Sequence, residues 1–245
     1  MPFQAVEPLR LYRQIAGQIA ALIDSGEFPV GSRLPAEREL AALLGVSRTS
    51  VREAIISLEI GGRVDVRVGT GIFVAGPAAR VAEAGDSGPG PFELLAARKL
   101  VEGEIAALAA RKPSAAHLAA LGECVARMEA HLDDFAVREE TDRAFHVGLA
   151  RATGNGALIR VVEELWNQRA EMWRRTQQHF HTRGLAEKTL RDHAAILKGV
   201  AARDPEGARN AMHRHLARVE REFQREDEGT NRHSGPGARR VRAAA

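Results

Sequence analysis

Apolar residues recur at helical spacing from the start of the chain. Leu9, Tyr12, Ile15, Ile19, Leu22 and Ile23 share one face, and Asp24-Ser25-Gly26 ends the pattern. A shorter stripe, Leu40, Leu43 and Leu44, follows Pro35 and stops at Gly45, which suits a left-handed closing turn. Val46 then precedes a polar start, Ser47-Arg48-Thr49-Ser50. Val51, Ala54, Ile55 and Leu58 mark the buried side of a third helix, which Gly61-Gly62 ends. Beyond it the period changes to two. Arg63 to Arg67 alternates as a strand, Gly69-Thr70-Gly71 turns, and Ile72-Phe73-Val74 returns. Helix, short turn with Gly, helix and hairpin make a winged helix-turn-helix.

From Ala75 to Pro91 the chain is Gly, Pro and small residues, the composition of a linker. The pattern after it is helical to about Asp227, with no alternating strand signal. The chain therefore reads as mainly α: a winged helix-turn-helix over residues 1–76, a linker over 77–91, an all-α domain over 92–228, and a basic tail over 229–245 too poor in apolar residues to fold.

Composition narrows the function classes. With 245 residues, 44% hydrophobic and 27% charged, the chain can bury two ordinary cores. No stretch is apolar enough to span a membrane, and Met1 to Arg10 lacks the layout of a signal peptide, so a cytoplasmic location is expected. The one cysteine, Cys124, has no partner for a disulfide or a thiolate metal site and reads as a small core residue. The formal charge is +3, but Arg232, Arg239, Arg240 and Arg242 lie in a tail without acids, so the basic excess is no argument for nucleic acid by itself.

The DNA-reading case rests on the third helix instead. Its first residues are those that meet base edges in a helix-turn-helix. Arg48 and Arg52 can take guanine O6 and N7 bidentately or clamp phosphate, and Ser47, Thr49 and Ser50 can donate to either. Ser47 capping the helix beside solvated arginines is the bland alternative.

In the second domain, Leu94, Leu95, Leu100, Val101, Ile105 and Leu108 spread over a wide face of its first helix, Pro91 to Ala110, where Arg98 and Glu102 stand four residues apart. Asp142 and His146 share that same spacing, which lets carboxylate and imidazole hold one metal. His193 and His215, each on a further helix, complete a possible ligand set, with Asp204-Pro205 starting the last helix. One Asp and three His suit Zn²⁺, Ni²⁺, Mn²⁺ or Fe²⁺. Such a metal leaves room for an acid's carboxylate, with Arg98 as a second anchor. His117, His131, His179, His181, His213 and His233 read as surface or half-buried residues. Trp166 and Trp173, seven residues apart, read as core or interface.

The segment LPAERELAALLGVSRTSVREAI (Leu34 to Ile55) with its GTG wing turn resembles the N-terminal domain of GntR-family regulators. The resemblance implies operator contacts from Arg38, Ser47, Arg48, Thr49, Ser50, Arg52 and Gly69. A glycine at 69 lets the wing backbone approach phosphates, although a turn also asks for one. Asp-x-x-x-His, then His, then His is similar to the FCD effector domain of the FadR-like subfamily, an antiparallel helical bundle. That similarity implies Asp142, His146, His193 and His215 as ligands of a divalent metal, Zn²⁺ first, and its Met-x-x-His pattern selects His215 over His213. GPFELLAARKLVEGEIAALAA and NGALIRVVEELWNQR are similar to hexuronate-responsive members.

The implied protein is a homodimer that reads a short inverted repeat in double-stranded DNA and, as a repressor, leaves it when a small carboxylate effector binds. The effector pocket and dimer interface are expected in the bundle. Two other readings remain: a metal-dependent hydrolase, for which no HExxH or similar signature is present, and a DNA-binding protein with a vestigial ligand site.

Overall fold

A computed structural model describes residues 10–67, 69–76, 89–176 and 183–225. The linker and tail expected at 77–91 and 229–245 fall largely or wholly outside these residues, as do Leu9, His179, His181 and His233. Nine helices and one two-stranded sheet are present among the described residues.

The N-terminal unit contains α1 (Leu11–Asp24), α2 (Glu37–Leu44), α3 (Arg48–Ile60), β1 (Val64–Arg67) and β2 (Gly71–Val74). Gly45 closes α2 at φ +66°, the left-handed region that glycine enters without a Cβ penalty. Two residues later the Ser47 hydroxyl accepts from the Ser50 amide at 3.1 Å and starts α3. Tyr12, Ile15, Ile19, Leu40, Val51, Ala54, Ile55, Leu58 and Ile72 form one buried cluster. β1 and β2 pair antiparallel, Val64 opposite Val74. The chain before α2 adds a short third edge: the Leu34 amide donates to the Ile72 carbonyl and the Val74 amide to that of Ser32. Leu43, expected in the apolar stripe of α2, instead points to solvent at 76% exposure; this eight-residue helix packs chiefly on α3 through Leu40 and Ala41.

The second unit holds α4 (Pro91–Arg111), α5 (Ala115–Ala130), α6 (Phe135–Ala152), α7 (Gly156–Thr176), α8 (Arg183–Ala201) and α9 (Pro205–Arg225). Side-chain oxygens of Ser114 and Asp134 accept from the first-turn amides of α5 and α6, and the Asp204 carboxylate accepts from the Gly207 amide at the start of α9. Gly199 lets α8 and α9 cross closely, since a Cβ there would lie 2.8 Å from the Ala208 amide nitrogen. That crossing sets His193 and His215 on adjacent helices. The core runs through Ile105, Leu121, Phe145, Leu149, Ile196, Met212 and Leu216, with half-buried Cys124 against it. Leu100 and Leu108 depart from the wide face expected of α4. They are 71% and 37% exposed, because the neighbours α6, α7, α8 and α9 cover the side that carries Leu94, Arg98, Glu102 and Ile105.

The units touch through α3. Its Ile56 and Leu95 of α4 are buried together, with Ile60, Phe92, Phe135, Leu185 and Val219 packed around them. Arg10 pairs with Glu93 at the edge of this contact.

Candidate metal centre and nucleic-acid interface

Four expected ligands from three helices meet inside the bundle. One ligand atom each from Asp142, His146, His193 and His215 lies within 4.8 Å of the others. His193 Nε2 is 3.2 Å from both Asp142 Oδ1 and His146 Nε2. All three rings are buried, and Phe145 stacks on His193 with centroids 4.5 Å apart.

Each imidazole is held from behind. His146 Nδ1 meets the Glu102 carboxylate, whose Oε1 accepts from Arg98 Nε at 2.6 Å. His215 Nδ1 lies 3.2 Å from Asp192, which also accepts from Arg218 Nε at 2.6 Å. His193 Nδ1 faces the Met128 sulfur at 3.0 Å. A ring that donates through Nδ1 presents the Nε2 lone pair to the centre, the arrangement that carboxylates behind metal-bound histidines enforce.

The charges agree with this geometry. Burial pushes Glu102 up, but Arg98 and His146 outweigh it and hold the carboxyl down at about 2. Burial acts likewise on Asp142, and His146 and His193 keep it well below the usual carboxylate range. Burial pulls His215 down to about 3 against the Asp192 hydrogen bond, aided by the other two rings. His193 is lowered for the same first reason, with His146 adding to it against the pull of Asp142. For His146 burial is outweighed by Glu102 and Asp142, and its value rises. Two neutral imidazoles and an ionised carboxylate are donors in the protonation state a metal needs.

A cation fits these residues on a further ground. Asp142 Oδ1 is buried without a hydrogen-bond partner, an expense that a positive ion at the convergence point removes. Replacing Glu102 by Gln (Glu102→Gln) takes away the charge behind His146, and zinc affinity measured by competition with a chromophoric chelator is expected to fall by about 10- to 100-fold. An unchanged affinity would remove Glu102 from the support of the site.

Above the centre lies a cleft with an empty volume of about 760 Å³, open mouth included. Asp142 and His215 are in its lining, with Arg98, Arg138, Arg169 and Arg218. Arg98 is where an effector anchor was expected, but it is 3% exposed and its Nε and Nη2 are given to Glu102, with Nη2 at 3.5 Å. Trp166, read only as core or interface, is buried beside the centre: Arg98 and Arg169 stack on its ring at 4.4 and 4.5 Å, and His146 is 5.1 Å away. Glu102, Arg169 and Asp192 carry no ligand spacing, so sequence reasoning did not pick them as site residues. The i,i+4 interval from Arg98 to Glu102 was the one available signal. Of the histidines set aside, His117 and His213 are half-buried and His131 is exposed, and none of these belongs to the cluster; His213 packs against Gly103.

On the first unit, Arg38, Ser47, Arg48 and Thr49 are exposed at the open side of the helix-turn-helix, and Ser50 is half-buried with its hydroxyl 2.9 Å from that of Ser47. Gly69 sits in the wing turn at φ +78°, with open space where a Cβ would be. Arg52 does not stand with them. It is 9% exposed, and its Nη1 lies 3.3 Å from Glu37 of α2, so in this structure it braces the two helices and must turn away from Glu37 to reach DNA.

Comparison with known proteins places these features in a family. The model of bacterial regulatory proteins of the gntR family matches residues 11–74, and that of the FCD domain matches 93–218. The chain is 41% identical over 223 residues to the Exu regulon transcriptional regulator of Escherichia coli K12, covering 87% of this chain and 84% of that protein. It is 35% identical over 228 residues to the Uxu operon transcriptional regulator of the same organism, covering 88% and 87%. Among solved structures, E. coli McbR/YncC superposes with a TM-score of 0.51 at 21% identity over 89% of this chain and 99% of that one, which supports the fold alone.

Proposed function

This chain belongs to the GntR family of bacterial regulatory proteins and carries an FCD domain; on that footing we propose that it is an acid-sensing repressor whose ligand binds at a metal in the bundle. It is a transcriptional regulator, and its relatives are regulators and not enzymes. The hydrolase reading therefore falls.

In the proposed mechanism a homodimer sets two α3 helices in successive major grooves of an inverted repeat. Arg38, Ser47, Arg48, Thr49, Ser50 and Gly69 reach bases and phosphates from the exposed face, and Arg52 joins them on leaving Glu37. Asp142, His146, His193 and His215 hold the divalent ion, Zn²⁺ first, since it takes imidazole nitrogen and carboxylate oxygen and can expand beyond four ligands to accept another oxygen. The ion supplies a Lewis-acidic seat for oxygen atoms of a small acid. Arg98 borders the same space. A hexuronate is the favoured acid, because the two relatives named above are regulators of the Exu regulon and the Uxu operon.

One observation carries the link between ligand and DNA. Phe135, Leu185 and Val219 line the cleft, and the same three side chains pack in the apolar cluster that seats Ile56 and Ile60 of α3. Filling the cleft moves the surface on which the recognition helix rests, so the two helices of a dimer lose the separation the operator requires.

The test is fluorescence anisotropy on the chain's own upstream DNA with D-galacturonate, D-glucuronate and other sugar acids, before and after chelation. At least a tenfold loss of DNA affinity with a uronate, absent after chelation, is the expected result; it corresponds to a coupling of about 1.4 kcal/mol. DNA binding untouched by every acid would leave a DNA reader with a silent bundle.

A further inference from the structure

The charged residues that line the cleft are nearly all spoken for. Arg98 is held by Glu102. Arg169 makes a two-pronged pair with Glu139 at 2.6 and 3.1 Å. Arg218 is held by Asp192, and Glu222 by Lys188 at 3.0 Å. Asp142 belongs to the metal cluster. Arg138 differs from all of these: no carboxylate lies within 4.0 Å of its guanidinium among the described residues, and its Nε is buried with no hydrogen-bond partner. The Phe135 ring lies 5.7 Å from the guanidinium carbon. The acids around it, Asp133, Asp134, Glu139 and Asp142, act only at a distance, and burial lowers its pKa in spite of them.

A buried guanidinium N–H without an acceptor is costly, and a carboxylate satisfies it best, because Nε–H and a neighbouring Nη–H together match two oxygens. Position adds direction. Arg138, Asp142 and His146 follow one another at intervals of four along α6, so they form one stripe, with Arg138 about 6 Å along the axis from Asp142. Glu139 and Glu222 also line the cleft, and carboxylate oxygens already paired with a cation can still accept hydrogen bonds from hydroxyls.

We propose that Arg138 is the effector's specificity-determining residue: its Nε and Nη donors take the carboxylate of a polyhydroxy acid of the uronate class, whose other oxygens reach toward Asp142 and the three histidines while its hydroxyls face Glu139 and Glu222. This assignment rests on the acid-sensing reading above. It replaces Arg98 as the carboxylate anchor and makes Arg98, through Glu102, a support for His146.

Isothermal titration of the zinc-loaded full chain with D-galacturonate, D-glucuronate and their neutral uronamides tests it. The wild type binds at least one uronate and prefers it to the amide. Arg138→Gln weakens that binding by more than about tenfold and loses the preference for acid over amide, while Arg138→Lys restores part of both. Zinc content and DNA affinity without acid stay at wild-type levels, which a merely structural role for Arg138 would not produce. An Arg138→Gln protein that keeps both the affinity and the preference overturns the assignment and leaves the acid-sensing reading standing. A wild type that binds none of these acids overturns both.

Discussion

His193→Ala abolishes stoichiometric metal binding and, with it, any response of DNA binding to acids. The side chain is wholly buried, its Nε2 is 3.2 Å from the donor atoms of Asp142 and His146, and no other imidazole among the described residues can take its place in the cluster. Losing a ligand has more effect than losing a group behind one, so the fall in zinc affinity exceeds about 100-fold by calorimetry or chelator competition. The empty space beside Phe145 lowers the melting temperature as well. DNA binding without acid persists, because the winged helix-turn-helix has a separate core built on Val51, Ala54 and Ile55. An alanine variant that holds zinc as the wild type does would show that the four side chains are not the ligand set.

Residues 1–76 alone bind the inverted repeat about 10²- to 10⁴-fold more weakly than the full chain. If the bundle holds two reading heads together, the second half-site is bound at a high effective concentration, and cutting the bundle away forfeits that gain without removing a DNA contact. The shortened protein keeps its buried cluster from Tyr12 to Val74, and circular dichroism checks that it remains folded. It also uncovers Ile56 and Ile60, which pack against the bundle in the whole chain. Equal affinity for the repeat would mean that the winged units pair by themselves or read DNA singly.

How far the sequence foretold the site depends on what kind of physics each residue expresses. Gly45 and Ser47 act within one turn of chain, so the helix-turn-helix and the start of α3 were legible from local chemistry. Asp142 and His146 share a helix face, and the spacing of four announced them; His193 and His215 depended on the family pattern, because only the α8–α9 crossing at Gly199 brings them near. Arg52 reads as a DNA contact in sequence, and nothing local shows that Glu37 faces it across the turn when no DNA is bound. Leu43 and Leu100 fit the apolar stripes but point to solvent, a matter of which sides the neighbouring helices cover. Glu102 and Arg98 resemble any surface pair at that spacing until α6 buries them against His146. Arg138 shares the spacing of four with Asp142, but what sets it apart, an Nε buried without a partner and no ion pair among the described residues, is a property of the folded cleft.

The central claim is that one protein couples an acid in the bundle to DNA at the winged helix, and thermodynamic linkage tests it directly. The affinity for D-galacturonate or D-glucuronate is measured by titration of the zinc-loaded chain alone and then saturated with its operator DNA. If the acid weakens DNA binding by a given factor, the DNA must weaken acid binding by that same factor. Equal factors of tenfold or more are expected, whereas an acid affinity that does not change when the operator is bound would contradict the coupling.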